Sequence, residues 1–163
     1  MPELSKVTVT PMRPEEAESV SALVAEIISA LPYYNERARR EEMAKYTPER
    51  LRSLAAEEPE AVLLARANHD VCGFAISHYD DGLIWIAWFG VRSDCRRRGI
   101  GTQLLAAVEE TAPRRRAHKI WCDTRTENFI SQQLLQKAGY KKIATLSNHW
   151  YGQDFYLWEK PLP

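Results

Sequence analysis

The segment Val91–Thr102, which reads VRSDCRRRGIGT, constrains the fold more than any other part of the chain. It follows an apolar run, Leu83–Val91, and precedes apolar residues with helical spacing. Those residues are Ile100, Leu104, Leu105 and Val108. The pattern predicts a strand, a basic loop with two glycines, and a helix. The first N–H groups of a helix lack intrahelical partners and carry the positive end of its dipole, and a glycine leaves them uncovered. We therefore predict a phosphate-binding loop.

Three consecutive arginines, Arg96, Arg97 and Arg98, stand beside the glycines. Their permanent charges suit a ligand with two or more phosphates. The loop is not a P-loop, because no Lys-Ser/Thr pair follows the glycines, and Leu104 occupies the third Gly position of the dinucleotide fingerprint. A basic surface loop with an ordinary glycine turn is the alternative interpretation.

The composition indicates one domain spanning residues 1–163. Lys plus Arg equals Asp plus Glu at 22 each, so no overall charge favours nucleic acid or an acidic membrane. Every apolar run is shorter than the roughly 18 residues that a membrane span requires. The three cysteines are widely spaced, which disfavours a disulfide framework or a metal site, and the N-terminus lacks the apolar core of a signal peptide. We expect a cytoplasmic protein with a small-molecule partner and no metal.

The first half of the chain predicts one strand, then helices, then two strands. The predicted elements are a strand at 7–10, a helix from Pro14 to Leu31, one or two mobile, solvated helices within 33–52, and strands at 61–67 and 71–79. The turn between the last two strands predicts a hairpin.

The second half predicts four more strands and two helices. Further strands are predicted at 83–91, 117–123, 140–146 and 154–159. The helix after the arginine loop ends near Ala112, before a proline. Thr124 and Glu127 have the spacing of a capping box for another helix, which Gly139 closes. The order predicts a mixed α/β domain.

This order of elements, together with the loop Arg96-x-x-Gly99-x-Gly101, resembles the GNAT superfamily of acyl-CoA-dependent N-acetyltransferases. The family's second signature, an Asn that opens the next helix, resembles Asn128 and Ser131 followed by LLQKAGY at 134–140. The resemblance covers essentially the whole chain and implies that both signatures bind coenzyme A. The implied pyrophosphate loop consists of Arg96, Arg97, Arg98, Gly99, Ile100, Gly101 and Thr102.

The resemblance also implies the architecture of the sheet. Strands one to four are antiparallel, and the strand that ends at Val91 lies parallel to the strand 117–123 but splays from it, with helices on both faces. The wedge between these strands would take the pantetheine arm, paired with backbone groups of Phe89 and Val91. Gly90 marks either the bulge that opens the wedge or a close-packing site.

Several residues are candidates for the proton transfers. Leu135 stands where many family members have the tyrosine that protonates the CoA thiolate. The acid is therefore another tyrosine, Tyr140 or Tyr151, or water, or no acid is needed. Asp123, at the end of the fifth strand, is the first candidate for the base. The alternatives for the base are His78 and His149.

Aromatic residues indicate where the acceptor binds. Tyr33 and Tyr34 follow the first helix, and Trp150 and Tyr151 precede the last strand. In GNAT-like folds both regions overhang the acceptor side. Such rings with nearby carboxylates would favour a cationic amine, although solvated loops with incidental aromatics are an equal alternative. The nearby carboxylates are Glu36, Glu41 and Asp154.

The predicted function is N-acetyl transfer from acetyl-CoA to the primary amine of a small molecule or a peptide, directly and within a ternary complex. The alternative is a CoA-binding sensor without catalysis, which Leu135 and the lack of an acidic residue in 83–91 favour. Homodimers are common in the family, which makes a homodimer a further expectation.

Overall fold

Seven strands form one mixed sheet in the computed structural model, which describes residues 6–163. The strands are β1 (Val7–Pro11), β2 (Val62–Ala67), β3 (Asp70–Asp80), β4 (Leu83–Val91), β5 (Lys119–Arg125), β6 (Lys141–Leu146) and β7 (Phe155–Pro161). Their order in the sheet is β1-β2-β3-β4-β5-β7-β6. β4 and β5 pair in parallel, and the other pairs are antiparallel. The predicted mixed sheet is confirmed, whereas the prediction that residues 1–5 join the domain lies outside the described residues.

Helices cover both faces of the sheet, as predicted. They are α1 (Ala17–Ser29), α2 (Glu36–Lys45), α3 (Pro48–Glu57), α4 (Ile100–Glu110), α5 (Ala112–Arg115) and α6 (Phe129–Lys137). α1 buries a stripe that includes Val20, Val24 and Ile28 against Phe74 of β3, in a core shared with α3. α4 buries Leu104 and its neighbours on the opposite face, in a second core shared with α6. The sheet thus separates two apolar layers.

The segment between α1 and β2 is less solvated than its sequence predicts. Asn35 and Thr47 cap α2 and α3, accepting hydrogen bonds from backbone N–H groups 2.8 Å and 3.3 Å away. α2 buries Glu42, and α3 buries Leu51. Of the one or two solvated helices predicted here, two form, and each differs from the prediction only in burying one or two side chains.

β5 and the start of α6 also differ from the prediction. β5 extends to Arg125, two residues beyond the predicted end, because β7 pairs with it up to Phe155. The hydroxyl of Thr124 lies within the sheet and accepts a hydrogen bond from Nε1 of Trp158 at 2.9 Å. The predicted capping box is therefore wrong, and Asn128 caps α6 instead.

The three cysteines, Cys72, Cys95 and Cys122, are buried free thiols. Within residues 6–163 no three His, Cys, Asp or Glu side chains are grouped so that they could hold a metal ion. No helix in that range has both the length and the apolar character needed to cross a membrane. The thiols pack as small apolar side chains.

Candidate functional site

β4 and β5 separate from each other at their carboxyl ends. Their pairing stops at Ile86 and Cys122. β4 then continues to Val91 alongside β3, and β5 continues to Arg125 alongside β7. Along this stretch the edge of β4 that faces β5 has no strand partner among the described residues. The opening, which we call the wedge, exposes backbone groups that an extended ligand can pair with.

A β-bulge in β4 lies at the start of the wedge. The register between β3 and β4 shifts so that Ala87 faces no residue of β3. Because side chains alternate along a strand, the extra residue turns Trp88 to the α1 face, although Ile86 packs on the α4 face. Gly90 is not the bulge, because it pairs in register with Phe74 of β3. A Cβ at this position would lie 3.1 Å from Cδ1 of Ile27. The close-packing alternative for Gly90 is therefore the one that fits.

The glycine loop places the start of α4 at the mouth of the wedge. Gly99 is the N-cap of α4, with φ +73°, a left-handed conformation that favours glycine, and nothing lies within 4 Å of its missing Cβ. No side chain caps the helix. Gly101 has another role, because a Cβ there would lie 2.7 Å from Cδ2 of Leu134 in α6. The first N–H groups of α4 therefore have no capping side chain, which suits an anion.

The arginines of the loop surround this helix end. Arg92 pairs with Asp94 at 2.6 Å, and Nε of Arg96 donates to the carbonyl of Val91 at 3.5 Å. Arg97 and Arg98 are exposed and form no ion pair with a described residue. Three guanidinium groups thus remain without a carboxylate partner in this part of the chain, as expected for a site that binds a multiply charged anion.

α6 packs against the start of α4 through Leu134, in its second turn. Oδ1 of Asn128 accepts a hydrogen bond from the backbone N–H of Ser131 at 3.2 Å, and the contact between Leu134 and Gly101 joins the two helices. The predicted cofactor residues of the two signatures therefore lie at the N-terminal ends of two helices that pack against each other. Leu135 and Tyr140 are buried in the core instead.

Tyr140 has a packed environment that disfavours the acid role predicted for it. Tyr140 is 3% exposed, and its hydroxyl is buried without a hydrogen-bond partner among the described residues. Burial raises the pKa of Tyr140 well above its usual range. The phenol therefore packs as a core side chain.

Asp123 lies on the far strand of the wedge. Strand alternation turns it away from the core that contains Cys122, and its carboxylate accepts a hydrogen bond from Nε1 of Trp150 at 2.7 Å. Burial raises the pKa of Asp123, and the hydrogen bond from Trp150 opposes this only in part. A carboxylate with these properties is suited to accept a proton.

Glu42 is a carboxylate of this region that the sequence did not single out. It is 8% exposed. Its oxygens accept hydrogen bonds from Nε1 of Trp88 at 2.9 Å, the hydroxyl of Tyr151 at 2.6 Å and Nζ of Lys45 at 2.7 Å. Burial alone would raise the pKa of Glu42, but these three donors outweigh it and hold the pKa below its usual value. Glu42 therefore remains a buried anion.

Arg125 joins the two segments that flank the acceptor side. It is 3% exposed and donates to the carbonyl of Tyr33 and to the side chain of Gln153. Its guanidinium lies 4.5 Å from the ring centre of Tyr34 and 5.4 Å from that of Phe155. This contact fixes the loop after α1 against the connection before β7.

The predicted acceptor residues come together, with additions. The Tyr34 ring packs edge-on against Tyr33 and against Trp88, each at 5.7 Å between centres. We call the whole group the aromatic–acidic cluster: Tyr33, Tyr34, Glu42, Trp88, Asp123, Trp150 and Tyr151. If polar and apolar residues alternated along β4, a change in that alternation would show that the bulge turns Trp88 to the other face of the sheet. Every residue of 83–91 except Gly90 is apolar or aromatic, so the sequence shows no such change.

Other predicted candidates lie elsewhere or have other partners. Glu36 is exposed, Glu41 pairs with Arg37 at 2.8 Å, and Asp154 accepts a backbone hydrogen bond at 2.8 Å. His78 lies opposite Trp85, at the paired end of β4 and away from the wedge. By contrast, the His149 ring packs edge-on against Trp150, with 4.4 Å between ring centres, and so lies beside the aromatic–acidic cluster.

Comparison with known proteins gives one family. The model of the acetyltransferase (GNAT) family matches residues 26–140. A search of curated protein sequences gave no significant match.

Solved structures share the fold over nearly the whole chain. PaiA N-acetyltransferase from Thermoplasma acidophilum, in complex with coenzyme A, has a TM-score of 0.84 and 17% identity, covering 96% of this chain and 99% of that one. An acetyltransferase of the GNAT family from Streptococcus pneumoniae gives 0.81 and 17%, covering 97% and 100%. Ard1 from Thermoplasma volcanium gives 0.76 and 21%, covering 96% and 98%. At these identities the similarity concerns the fold.

Proposed function

The chain belongs to the acetyltransferase (GNAT) family, and on that premise we propose that it is an N-acetyltransferase. It moves the acetyl group of acetyl-CoA to the primary amine of a small molecule or a peptide. One observation carries the proposal: β4 is unpaired with β5 beyond Ile86, and the same strand leads through the arginine loop into the uncapped start of α4. A ligand with a diphosphate and an amide-containing arm fits both features at once.

Acetyl-CoA would lie along the unpaired edge of β4, with its diphosphate at the start of α4. The N–H groups after Gly99 and the guanidinium groups of Arg96, Arg97 and Arg98 would hold the pyrophosphate. Backbone groups between Ala87 and Val91 would pair with the amides of the pantetheine arm. Asn128 and Ser131, at the start of α6, would contact the same arm. The thioester would then lie between β4 and β5, next to the aromatic–acidic cluster.

Transfer in a ternary complex requires a neutral amine beside the thioester. The amine nitrogen forms the new amide bond as the C–S bond breaks, and the sulfur leaves as the CoA thiolate. Asp123 would accept the amine proton, because its raised pKa makes it a stronger base than an exposed carboxylate. A backbone N–H near Val91 would stabilise the developing oxyanion.

Protonation of the thiolate does not depend on the position that Leu135 occupies. Leu135 is fully buried and cannot donate a proton. A thiolate is a tolerable leaving group near neutral pH, since the pKa of an ordinary thiol is about 8.5. Water at the mouth of the wedge can therefore supply this proton.

Free thiol release measures the proposed reaction. Purified protein is incubated with acetyl-CoA and, separately, with monoamines, diamines, amino acids and peptides, and samples without amine serve as the control. The proposal predicts amine-dependent thiol release and an acceptor heavier by one acetyl group in mass spectrometry. Tight CoA binding with no release for any acceptor class would contradict it and would indicate a CoA-binding protein without transfer activity.

A further inference from the structure

Glu42 already binds an alkylammonium group, which belongs to the chain itself. Lys45, on the same helix, places Nζ 2.7 Å from Oε1 of Glu42 and 5.9 Å from the centre of the Tyr151 ring. The Lys45 side chain is 51% exposed, whereas that of Glu42 is 10% exposed. The carboxylate is therefore the enclosed partner, and the ammonium reaches it from the solvent side.

The surroundings of Glu42 are fixed independently of Lys45. Trp88 and Tyr151 donate to its carboxylate from β4 and from the connection before β7, and Tyr34 packs against Trp88. These contacts hold the carboxylate ionised between aromatic side chains. A buried anion with an aromatic ring near its cation is the combination that recognises an alkylammonium ion.

Glu42 and Asp123 accept hydrogen bonds from two consecutive residues, since Tyr151 donates to Glu42 at 2.6 Å and Trp150 donates to Asp123 at 2.7 Å. The negative charge of Glu42 contributes to the raised pKa of Asp123, and the positive charge of Lys45 opposes it. Asp123 itself is on the wedge, where the reacting amine would lie. A cation at Glu42 and an amine at Asp123 therefore occupy neighbouring positions in the aromatic–acidic cluster.

We propose that the acceptor is an aliphatic diamine, whose distal ammonium replaces Lys45 at Glu42 while its other amine reacts beside Asp123. This inference rests on the proposed N-acetyltransferase function. The exchange replaces one primary ammonium by another, so the charge-assisted hydrogen bond to Glu42 is kept. Lys45 can move out into water, because half of its side chain is already exposed.

The same arrangement predicts that only one end of the diamine is acetylated. After transfer the acetylated end is a neutral amide. A second transfer would place that amide at Glu42, and the buried carboxylate would lose its cationic partner. The monoacetylated product is therefore a poor acceptor.

Three ligands of equal chain length test the inference. Putrescine, butylamine and γ-aminobutyrate each have four carbons with an amine on the first, and the fourth carbon carries an ammonium in putrescine, is a methyl group in butylamine and is the carboxylate carbon in γ-aminobutyrate. Calorimetric titration into the protein with bound CoA measures binding without turnover. Putrescine should bind about tenfold or more tightly than butylamine, and γ-aminobutyrate should bind most weakly.

Three variants identify the subsite. Glu42→Gln should lower the affinity for putrescine about tenfold or more and reduce its preference over butylamine. Lys45→Met removes the competing ammonium and should raise the affinity for putrescine about tenfold, whereas a purely structural Lys45–Glu42 pair predicts no gain. The matched control is Glu57→Gln, which removes an exposed carboxylate of α3. It should leave the affinity for putrescine unchanged.

The outcomes separate this inference from the proposed function. Equal affinity for putrescine and butylamine, or no gain of affinity in Lys45→Met, would overturn the diamine inference, whatever the turnover. If putrescine binds tightly through Glu42 but no thiol is released from acetyl-CoA, the diamine-binding site stands, whereas the acceptor role of the diamine and the N-acetyltransferase function are both wrong. Melting curves of the variants show whether a loss of affinity reflects a loss of folding.

Discussion

Arg115 is the arginine of the run 114–116 that the fold ties most closely into the interior. Its side chain is 6% exposed, whereas that of Arg114 is 63% exposed. Arg115 donates to Glu58 at 2.9 Å and to the Ser77 hydroxyl at 2.8 Å, and it also reaches Thr111 at 3.3 Å. It thereby joins α5 and α3 to β3, next to the register shift between β3 and β4. We predict that Arg115→Met destabilises the protein markedly.

The magnitude follows from these contacts. Methionine keeps much of the apolar stem, so the loss is mainly polar. Removing one partner of a buried ion pair costs about 3–5 kcal/mol. The Glu58 side chain is 30% exposed and can regain water, whereas Ser77 is buried and cannot, so we expect about 3 kcal/mol. For a chain of this size that corresponds to a fall in melting temperature of about 6–12 °C.

The control is Arg114→Met, which removes the same charge one residue earlier. Arg114 pairs with Glu60 near the surface, so we expect a loss of about 1 kcal/mol or less. Urea unfolding and thermal melts of both variants give the comparison. Equal losses of unfolding free energy in the two variants, or a loss below about 1 kcal/mol for Arg115→Met, would refute the conclusion that the buried contacts of Arg115 stabilise the fold.

Three further predictions concern the site and the pH dependence of stability. Gly101→Glu places a negative charge at the start of α4 and should weaken CoA binding about tenfold or more in a titration, whereas Gly101→Ala, which has the same contact with Leu134 without the charge, should lose less. Asp123→Asn should lower kcat about 100-fold or more. Wild-type kcat should fall as the pH drops through the raised pKa of Asp123, and a pH profile of the variant should lack this fall. The hydrogen bonds from Arg66 lower the pKa of Glu16 from 4.5 to about 2, so its stabilisation is complete above pH 4.5 and is lost towards pH 2. Urea unfolding should therefore show Glu16→Gln to be less stable than wild type by about 1–2 kcal/mol near pH 7, since solvent screens this pair, and by much less near pH 2.

Local patterns were sufficient for most of the fold. The hairpin β2–β3, the loop before α4 and the packed face of α1 each depend on neighbouring residues, so alternation, turn residues and helical spacing predicted them. The end of β5 depends instead on β7, which lies 30 or more residues away in the chain, and it was placed two residues too early. Position in the sheet, not local propensity, decided that boundary.

Glu42 and Arg125 were not predicted as residues of the site for a different reason. Glu42 belongs to a helix rich in charged residues, and nothing in that helix distinguishes it from the exposed Glu36. Its burial depends on Trp88 and Tyr151, which lie 46 and 109 residues away in the chain. Arg125, which is also buried, lies two residues beyond the predicted end of its strand, 117–123. Burial of a charged side chain requires partners that only the folded chain brings together.

The position of β7 has a consequence for the synthesis of the protein. β7 follows β6 in the chain but lies between β5 and β6 in the sheet. As the chain leaves the ribosome, β6 therefore has no neighbouring strand, and β5 keeps an open edge until Phe155–Pro161 has emerged. Open edges are the places at which chains associate with one another. A nascent or truncated chain that ends before β7 would thus be prone to aggregate, even with the α4 loop and most of the wedge already made.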